Sequence, residues 1–173
     1  YSATKAAADM LITAWGRTHK IPYMILRPTN NYGIGQYVEK LIPKTVKLAN
    51  LGRKVPLHNH GQPYRNWLHA DDTAEAVFTI IDKGDVGEIY NIAGGFEQSN
   101  FDTVRSVFDS MGIDISDGGK ENKHIDYSYS RPGQDVRYSL DDSKLRSLGW
   151  SPKKLFSKEI MSIVGYYKHK FIW

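Results

Sequence analysis

Between Ser2 and His19 the apolar residues Ala3, Ala6, Ala7, Met10, Leu11, Ala14 and Trp15 recur at the spacing of one helix face, which predicts an amphipathic helix. The next stretch changes character. Ile21 to Leu26 reads "IPYMIL", a short, nearly continuous apolar run between Lys20 and Arg27, and predicts a strand buried on both faces. "RPTNNYGIGQ" follows as a loop, rich in Pro, Asn and Gly. Helical spacing returns from Leu41 to Leu51, with Pro43 in the first turn, where a missing N–H costs nothing. "RKVPLHNHGQPYRNWLHA" predicts short strands around a turn at Gly61 to Pro63, and Asp72 followed three residues later by Glu75 predicts a capping-box start to another helix. "GEIYNIAGG" is a strand between glycines, and Ser99 to Met111 is again helical through Phe101, Val104, Val107 and Phe108. The segment from Gly112 to Lys123 predicts a surface loop, His124 to Tyr129 a strand, and Asp141 to Leu148 and Leu155 to Lys170 the last helices, separated by Gly149 and Pro152.

Helices that precede buried strands predict an α/β fold with a parallel sheet. Two such strands need paired neighbours and covered faces, so most of that sheet is expected outside these residues. The 173 residues, 40% hydrophobic and 12% aromatic, suffice for one folded unit. No run reaches the roughly 18 apolar residues of a membrane span, and no basic-then-apolar order marks a secretory leader. The absence of cysteine excludes disulfides and thiolate metal sites, and the expected location is the cytoplasm. The net charge of +4 is scattered, which argues against a nucleic-acid arm, and no membrane partner is expected.

The candidate chemistry begins at Tyr1 and Lys5, one helical turn apart on the same face. An ammonium beside a phenol favours the phenolate, and such a pair can exchange a proton with a substrate hydroxyl. The same spacing recurs at Tyr166 and Lys170, where nothing nearby resembles a site, so spacing alone does not decide. Asp71 and Asp72 suggest a carboxylate pair but stand where helix capping is expected. His58, His60 and His69 lack a carboxylate at a familiar metal-ligand spacing, and no metal is expected.

Four segments in order, "YSATK", "RPTNNYGIGQYVEKLIP", "RNWLHADD" and "RPGQDVRYSLDDSKLRSLGW", resemble the extended short-chain dehydrogenase/reductase family, in particular its dTDP-glucose 4,6-dehydratase branch. The resemblance covers nearly the whole chain and matches the C-terminal half of such enzymes. It implies the C-terminal part of an NAD(P)-binding Rossmann-like domain, over residues 1–30 and about 66–95, plus a small α/β nucleotide-sugar-binding domain, over about 31–65 and 96–173. It implies that Tyr1 takes the proton of the sugar 4-hydroxyl during hydride transfer to NAD, and that Lys5 holds the nicotinamide ribose and lowers the pKa of Tyr1. Water is then eliminated across carbons 5 and 6, and the hydride returns, so that NAD is recycled.

By the same resemblance Asn30, Lys40, Leu41, Arg65, Asn91 and Arg131 meet the nucleotide or its diphosphate, with Pro56, His58 and Gln134 near the nucleotide. Planar arginine forks suit phosphate oxygens. The chain departs from the family at two of these places, His58 for Tyr and Gln134 for His, and at two others, Asn59 for Gly and Ile34 for Pro. No glycine-rich turn of the dinucleotide-binding kind occurs in the chain, and the family's acidic pair and its Ser/Thr precede the tyrosine. The chain is therefore expected to be inactive alone, as part of a longer nucleotide-sugar dehydratase, and to form a homodimer through the tyrosine-bearing helix. A different nucleotide-sugar epimerase or decarboxylase, and a non-catalytic nucleotide-sugar-binding module, are the two rival readings.

Overall fold

The computed structural model describes residues 1–115 and 122–170. Helix α1 spans Ser2–His19, as its apolar spacing predicts, and ends at Lys20 in the left-handed conformation. It buries no residue; Met10, Leu11 and Trp15 are all more than half exposed. A fork from Arg27, whose Nε and Nη2 reach Asp9 Oδ2 at 2.9 and 2.6 Å, ties α1 to the next strand.

That strand, β1, is Ile25–Pro28 rather than Ile21 to Leu26, and only Ile25 in it is buried. Ile21 is 49% exposed, and Pro22 has no N–H to give to a ladder. The expectation of a strand buried on both faces is thus corrected: the ladder starts where Ile25 N donates to Glu88 O. A second correction follows directly. "RPTNNYGIGQ" is not all loop, because Asn30–Tyr32 form strand β2, pairing in parallel with Trp67–His69. Asn has poor strand propensity, and the neighbouring strand overrides it.

Helix α2 covers Leu41–Asn50. Strand β3 is Val55–Pro56, a 3-10 turn occupies His58–Gly61, and strand β4 is Tyr64–His69. The two strands flank the turn as expected but do not pair with each other. Helix α3 runs Ala70–Lys83, strand β5 Ile89–Ile92, strand β6 Phe96–Ser99 and helix α4 Asn100–Ser110. Strand β7 is only Ile125–Asp126, strand β8 is Arg137–Tyr138, and helices α5 and α6 are Ser143–Ser147 and Phe156–His169. Of the expected surface loop at 112–123, residues 116–121 lie outside the described residues; Ile115 and Asn122 on either side are buried, so those ends belong to the interior.

Asp72 does not cap α3. The cap is His69, whose Nδ1 accepts from Asp71 N at 3.1 Å, while Asp72, 2% exposed, accepts the main-chain N–H groups of Lys153 and Lys154 at 3.0 Å each. The carboxylate that looks like a local cap is a clasp between α3 and the lead-in to α6.

Among the described residues the strands form three small sheets. β1 pairs with β5 in parallel, β2–β4–β6 form a mixed sheet with β8 also on β4, and β3 pairs with β7 in parallel. The chain passes from the first sheet to the second at Thr29, between β1 and β2. There, Thr29 Oγ1 and Gly94 N both donate to Asn66 Oδ1, at 3.2 and 2.8 Å. Asn66 is 3% exposed. A Cβ on Gly94 would lie 1.9 Å from the Trp67 carbonyl oxygen, so the approach of β5's end to β4 requires glycine.

Three apolar clusters flank these sheets. Tyr32 and Trp67 pack on α2, α4 and α6 through Ile42, Val46, Val107, Ile160 and Ile163. On the opposite side of β4, Leu68 meets Ile80, Tyr90, Leu145 and Trp150. Val55, Leu57, Val104, Phe108 and Ile125 close the third around β3 and β7. Among the described residues no helix is long and apolar enough to cross a membrane.

Asn66→Ala leaves the Gly94 N–H without its acceptor where the sheets meet. It should lower unfolding free energy by about 2 kcal/mol in urea titrations. Thr29→Val, which removes the other donor and leaves Asn66 paired with Gly94, should lose less.

Candidate functional site

Strand pairing places two of the candidate residues on one face. Asn30 stands opposite Trp67, and Arg65 lies two residues before Trp67 on β4. In a pleated strand such positions share a side, so Asn30 and Arg65 are diagonal neighbours. Arg65 is half-buried. Its Nη1 donates to the carbonyls of Tyr64 and Asp135 at 2.6 and 3.1 Å, which leaves Nε and Nη2 without an acceptor among the described residues. Burial lowers the Arg65 pKa from its ordinary value; the Asp135 carboxylate pushes it back up, and the charge of Arg131 adds to the lowering. The two guanidinium groups therefore feel each other, and among the described residues neither is bridged to a carboxylate. Two guanidinium groups within electrostatic reach, with donors to spare and only the Asp135 carboxylate acting on Arg65 from a distance, suit a polyanion.

The segment bearing Arg131 is held from the 3-10 turn. Asn59 Oδ1 accepts from Arg131 N at 3.1 Å and from Ser130 Oγ at 3.2 Å, and Asn59 Nδ2 donates to Gln134 Oε1 at 3.1 Å. His58, one residue before, sets its ring edge-on to Tyr129 at 5.7 Å, with Nδ1 buried and without a partner among the described residues. Pro56 lies on the same β3–β7 ladder, continued by Asn59 N to Tyr129 O at 3.1 Å. Thus Pro56, His58, Arg65, Arg131 and Gln134 gather around one loop. Asn59 was not among the residues singled out, although its ability to adopt positive φ, here 50°, is a legible signal in "HNHG".

Lys40 and Leu41 sit at the start of α2, whose first N–H groups receive no side-chain cap. Lys40 is exposed and pairs with Glu39 at 2.9 Å, while Leu41 is half-buried against two of the clusters. The loop before them is anchored from the far end of the chain. Tyr167 OH accepts from Gln36 N at 2.7 Å and donates to Gly33 O at 2.9 Å. Burial raises the Tyr167 pKa, which keeps the donating proton on the phenol.

Other candidates stand apart. Asn91 lies on β5 opposite Arg27, and its Nδ2 donates to Asp141 O at 3.0 Å, so its amide is engaged in holding the α5 lead-in. Tyr1, 92% exposed, has the Lys5 ammonium 5.8 Å from its ring centre and shares no hydrogen bond with the Arg65–Arg131 cluster. The helix thus presents phenol and ammonium together, on the β1 side of the molecule. The three histidines form no metal centre, and no group of metal-ligating side chains occurs among the described residues.

Arg65 near the start of β4 and Arg131 on the loop held by the 3-10 turn are donor groups suited to an anionic ligand, on a mixed α/β frame. The profile of one family, described as GDP-mannose 4,6 dehydratase, matches residues 1–163, and the chain belongs to that family. Two relatives agree. The low-salt glycan biosynthesis protein Agl12 of Haloferax volcanii is 38% identical across 96% of this chain and 52% of its own length. The dTDP-glucose 4,6-dehydratase 1 of Escherichia coli is 37% identical across 100% of this chain and 48% of its own. Among solved structures, the dTDP-glucose 4,6-dehydratase DesIV of Streptomyces venezuelae, determined with NAD bound, superposes with a TM-score of 0.89 at 36% identity, over 98% of this chain and 51% of that one. The chain spans about half the length of the relatives it matches.

The downstream end of the Arg131 loop is fixed by Arg137, whose Nε and Nη2 meet the Glu97 carboxylate at 2.8 and 2.9 Å. The Arg137 hydrogen bond holds the Glu97 pKa below the ordinary carboxylate value, with help from Ser139. A depressed folded-state pKa contributes stability that is present above the unfolded value and disappears as pH falls through the folded one. Between about pH 6 and about pH 3, wild type should therefore lose more urea stability than Arg137→Gln, which has no such pair to break.

Proposed function

We propose that this chain is the nucleotide-sugar-facing half of an NAD-dependent dTDP-glucose 4,6-dehydratase, with Arg65 and Arg131 binding the diphosphate of the substrate. The observation that carries the reading is the half-buried Arg65, diagonal to Asn30, whose Nε and Nη2 have no acceptor among the described residues and which lies within electrostatic reach of Arg131. A diphosphate supplies the charge this arrangement lacks, and arginine forks can each bond two of its oxygens. Lys40 and the uncapped first turn of α2 add positive potential toward the same ligand. Pro56 and His58 line the nucleoside end, and Gln134 stands with Arg131 toward the diphosphate; Leu41 supplies apolar contact, and Asn91 steadies the Asp141 backbone. The names of the relatives support thymidine as the nucleoside.

In this reading residues 1–30 and about 66–95 belong to the Rossmann part and the remainder to the small sugar-nucleotide part. Tyr1 and Lys5, side by side on α1, fit the nicotinamide end of the cofactor. NAD supplies hydride transfer when bound. The Tyr1 side-chain oxygen receives the proton of the sugar 4-hydroxyl, and the Lys5 ammonium stands beside the ring to hold the nicotinamide ribose. The pyrophosphate cradle of the cofactor is left to residues outside this chain, so the chain by itself is expected to bind nucleotide and to turn over nothing. The exposed Met10, Leu11 and Trp15 support a homodimer through α1.

Isothermal titration of the chain with dTDP tests the diphosphate site. Binding that weakens as salt rises is expected, with Arg65→Ala and Arg131→Ala each weakening it by about 10- to 100-fold and dTMP binding much less tightly than dTDP. Equal affinity for dTDP in either arginine variant would overturn the reading. For the α1 interface, sedimentation at micromolar concentration should give a dimer that Leu11→Lys converts to monomer.

A further inference from the structure

We infer that Asn59 is a positioning residue that sets the polarity of the anion site: it forces the Gln134 amide to present its NH2 group, and not its oxygen, to the ligand. The inference rests on the diphosphate reading above and names the donor set behind it.

The argument begins with two groups whose hydrogen-bonding sense cannot be reversed. The main-chain N–H of Arg131 can only donate, so the Asn59 atom 3.1 Å from it is the oxygen, Oδ1. The main-chain carbonyl of Arg131 can only accept, so the Asn59 atom 3.4 Å from it is Nδ2. With both ends of the Asn59 amide fixed by backbone, the atom facing Gln134 at 3.1 Å is a donor. Gln134 answers with Oε1. Its Nε2 then has no protein partner among the described residues, and the side chain is only half-buried. The Gln134 backbone is held at the same place, because its own N–H closes a turn on Arg131 O at 3.3 Å.

The backbone adds a second constraint at the same residue. Asn59 and His60 have φ of 50° and 54°, a left-handed conformation that asparagine tolerates better than most residues with a side chain. One residue type therefore supplies both the turn and the latch. The result is a rim composed of donors: Nε and Nη2 of Arg65, the guanidinium of Arg131 and Nε2 of Gln134. Such a rim fits a group made only of acceptors, as phosphate oxygens are, and the Gln134 donor carries no charge that changes with pH.

Three variants separate the latch from general damage. Asn59→Gly keeps the left-handed backbone and removes the amide. Asn59→Asp keeps an acceptor for the Arg131 N–H and replaces the donor that faces Gln134 with a second acceptor, so Gln134 should turn its NH2 inward. Gln134→Ala removes the presented donor. In the free chain, amide exchange at Arg131 should quicken about tenfold in Asn59→Gly and stay slow in Asn59→Asp, while the Gln134 side-chain NH2 should exchange more slowly in Asn59→Asp than in wild type. With dTDP, Gln134→Ala should weaken binding about tenfold in the wild-type background and less than about twofold in the Asn59→Asp background. This comparison is insensitive to the charge that Asn59→Asp itself adds, because both members of the second pair carry it.

Unchanged Arg131 exchange in Asn59→Gly, or an equal effect of Gln134→Ala in the two backgrounds, would overturn the inference. If wild type does not bind dTDP, the diphosphate reading fails, and the two ligand-free exchange measurements still decide whether Asn59 orients Gln134.

Discussion

The arrangement depends on one buried amide. Asn66, in the middle of β4, accepts from Thr29 where the chain leaves the β1–β5 sheet and from Gly94 where it leaves β5. Each of these groups would be a buried donor without a partner if the sheets slid or separated, so the crossing is fixed by hydrogen-bond satisfaction rather than by apolar packing alone. Everything at the site hangs from this point. Arg65 precedes Asn66 by one residue, Asn30 follows Thr29 by one, and the antiparallel neighbour β6 begins two residues after Gly94.

The second organising feature is the management of like charge. Two guanidinium groups are held within electrostatic reach of each other with no acidic side chain bridging them. Main-chain carbonyls of Tyr64 and Asp135 take one Arg65 nitrogen, and Asn59 fixes the Arg131 backbone. Main-chain and amide dipoles position the cations, and the Asp135 carboxylate offsets the Arg65 charge only from a distance. Preorganised cations of this kind attract a polyanion without requiring the protein to reorganise on binding.

Much of the helical architecture was legible because it rests on apolar periodicity, which survives in any environment: Ser2–His19 was read to the residue, and α2, α4 and α6 within one or two residues. The strands were less legible. Asn30–Tyr32 has loop composition and becomes a strand only because β4 offers it a ladder; Phe96–Ser99 and Arg137–Tyr138 are likewise defined by their partners. Asp72 failed for a related reason. Its spacing to Glu75 is that of a cap, whereas its acceptors' work is for Lys153 and Lys154, which no local pattern reveals. At the site, the motifs named Arg65, Arg131, Gln134 and Asn91 individually; that Asn91 Nδ2 donates to the Asp141 backbone is a long-range contact that no local pattern carries. Asn59 lay among the departures from the family, and its role becomes visible only once the turn and the Arg131 loop are adjacent in space.

The bond from Tyr167 to Gly33 and Gln36 spans more than 130 positions of sequence. During synthesis the loop ahead of Lys40 emerges from the ribosome long before its anchor does, and closing so distant a contact carries the entropy of the whole intervening chain. Nascent protein should therefore hold its β-sheets while this loop is still untethered, and the loop should order as a late, single event when α6 docks.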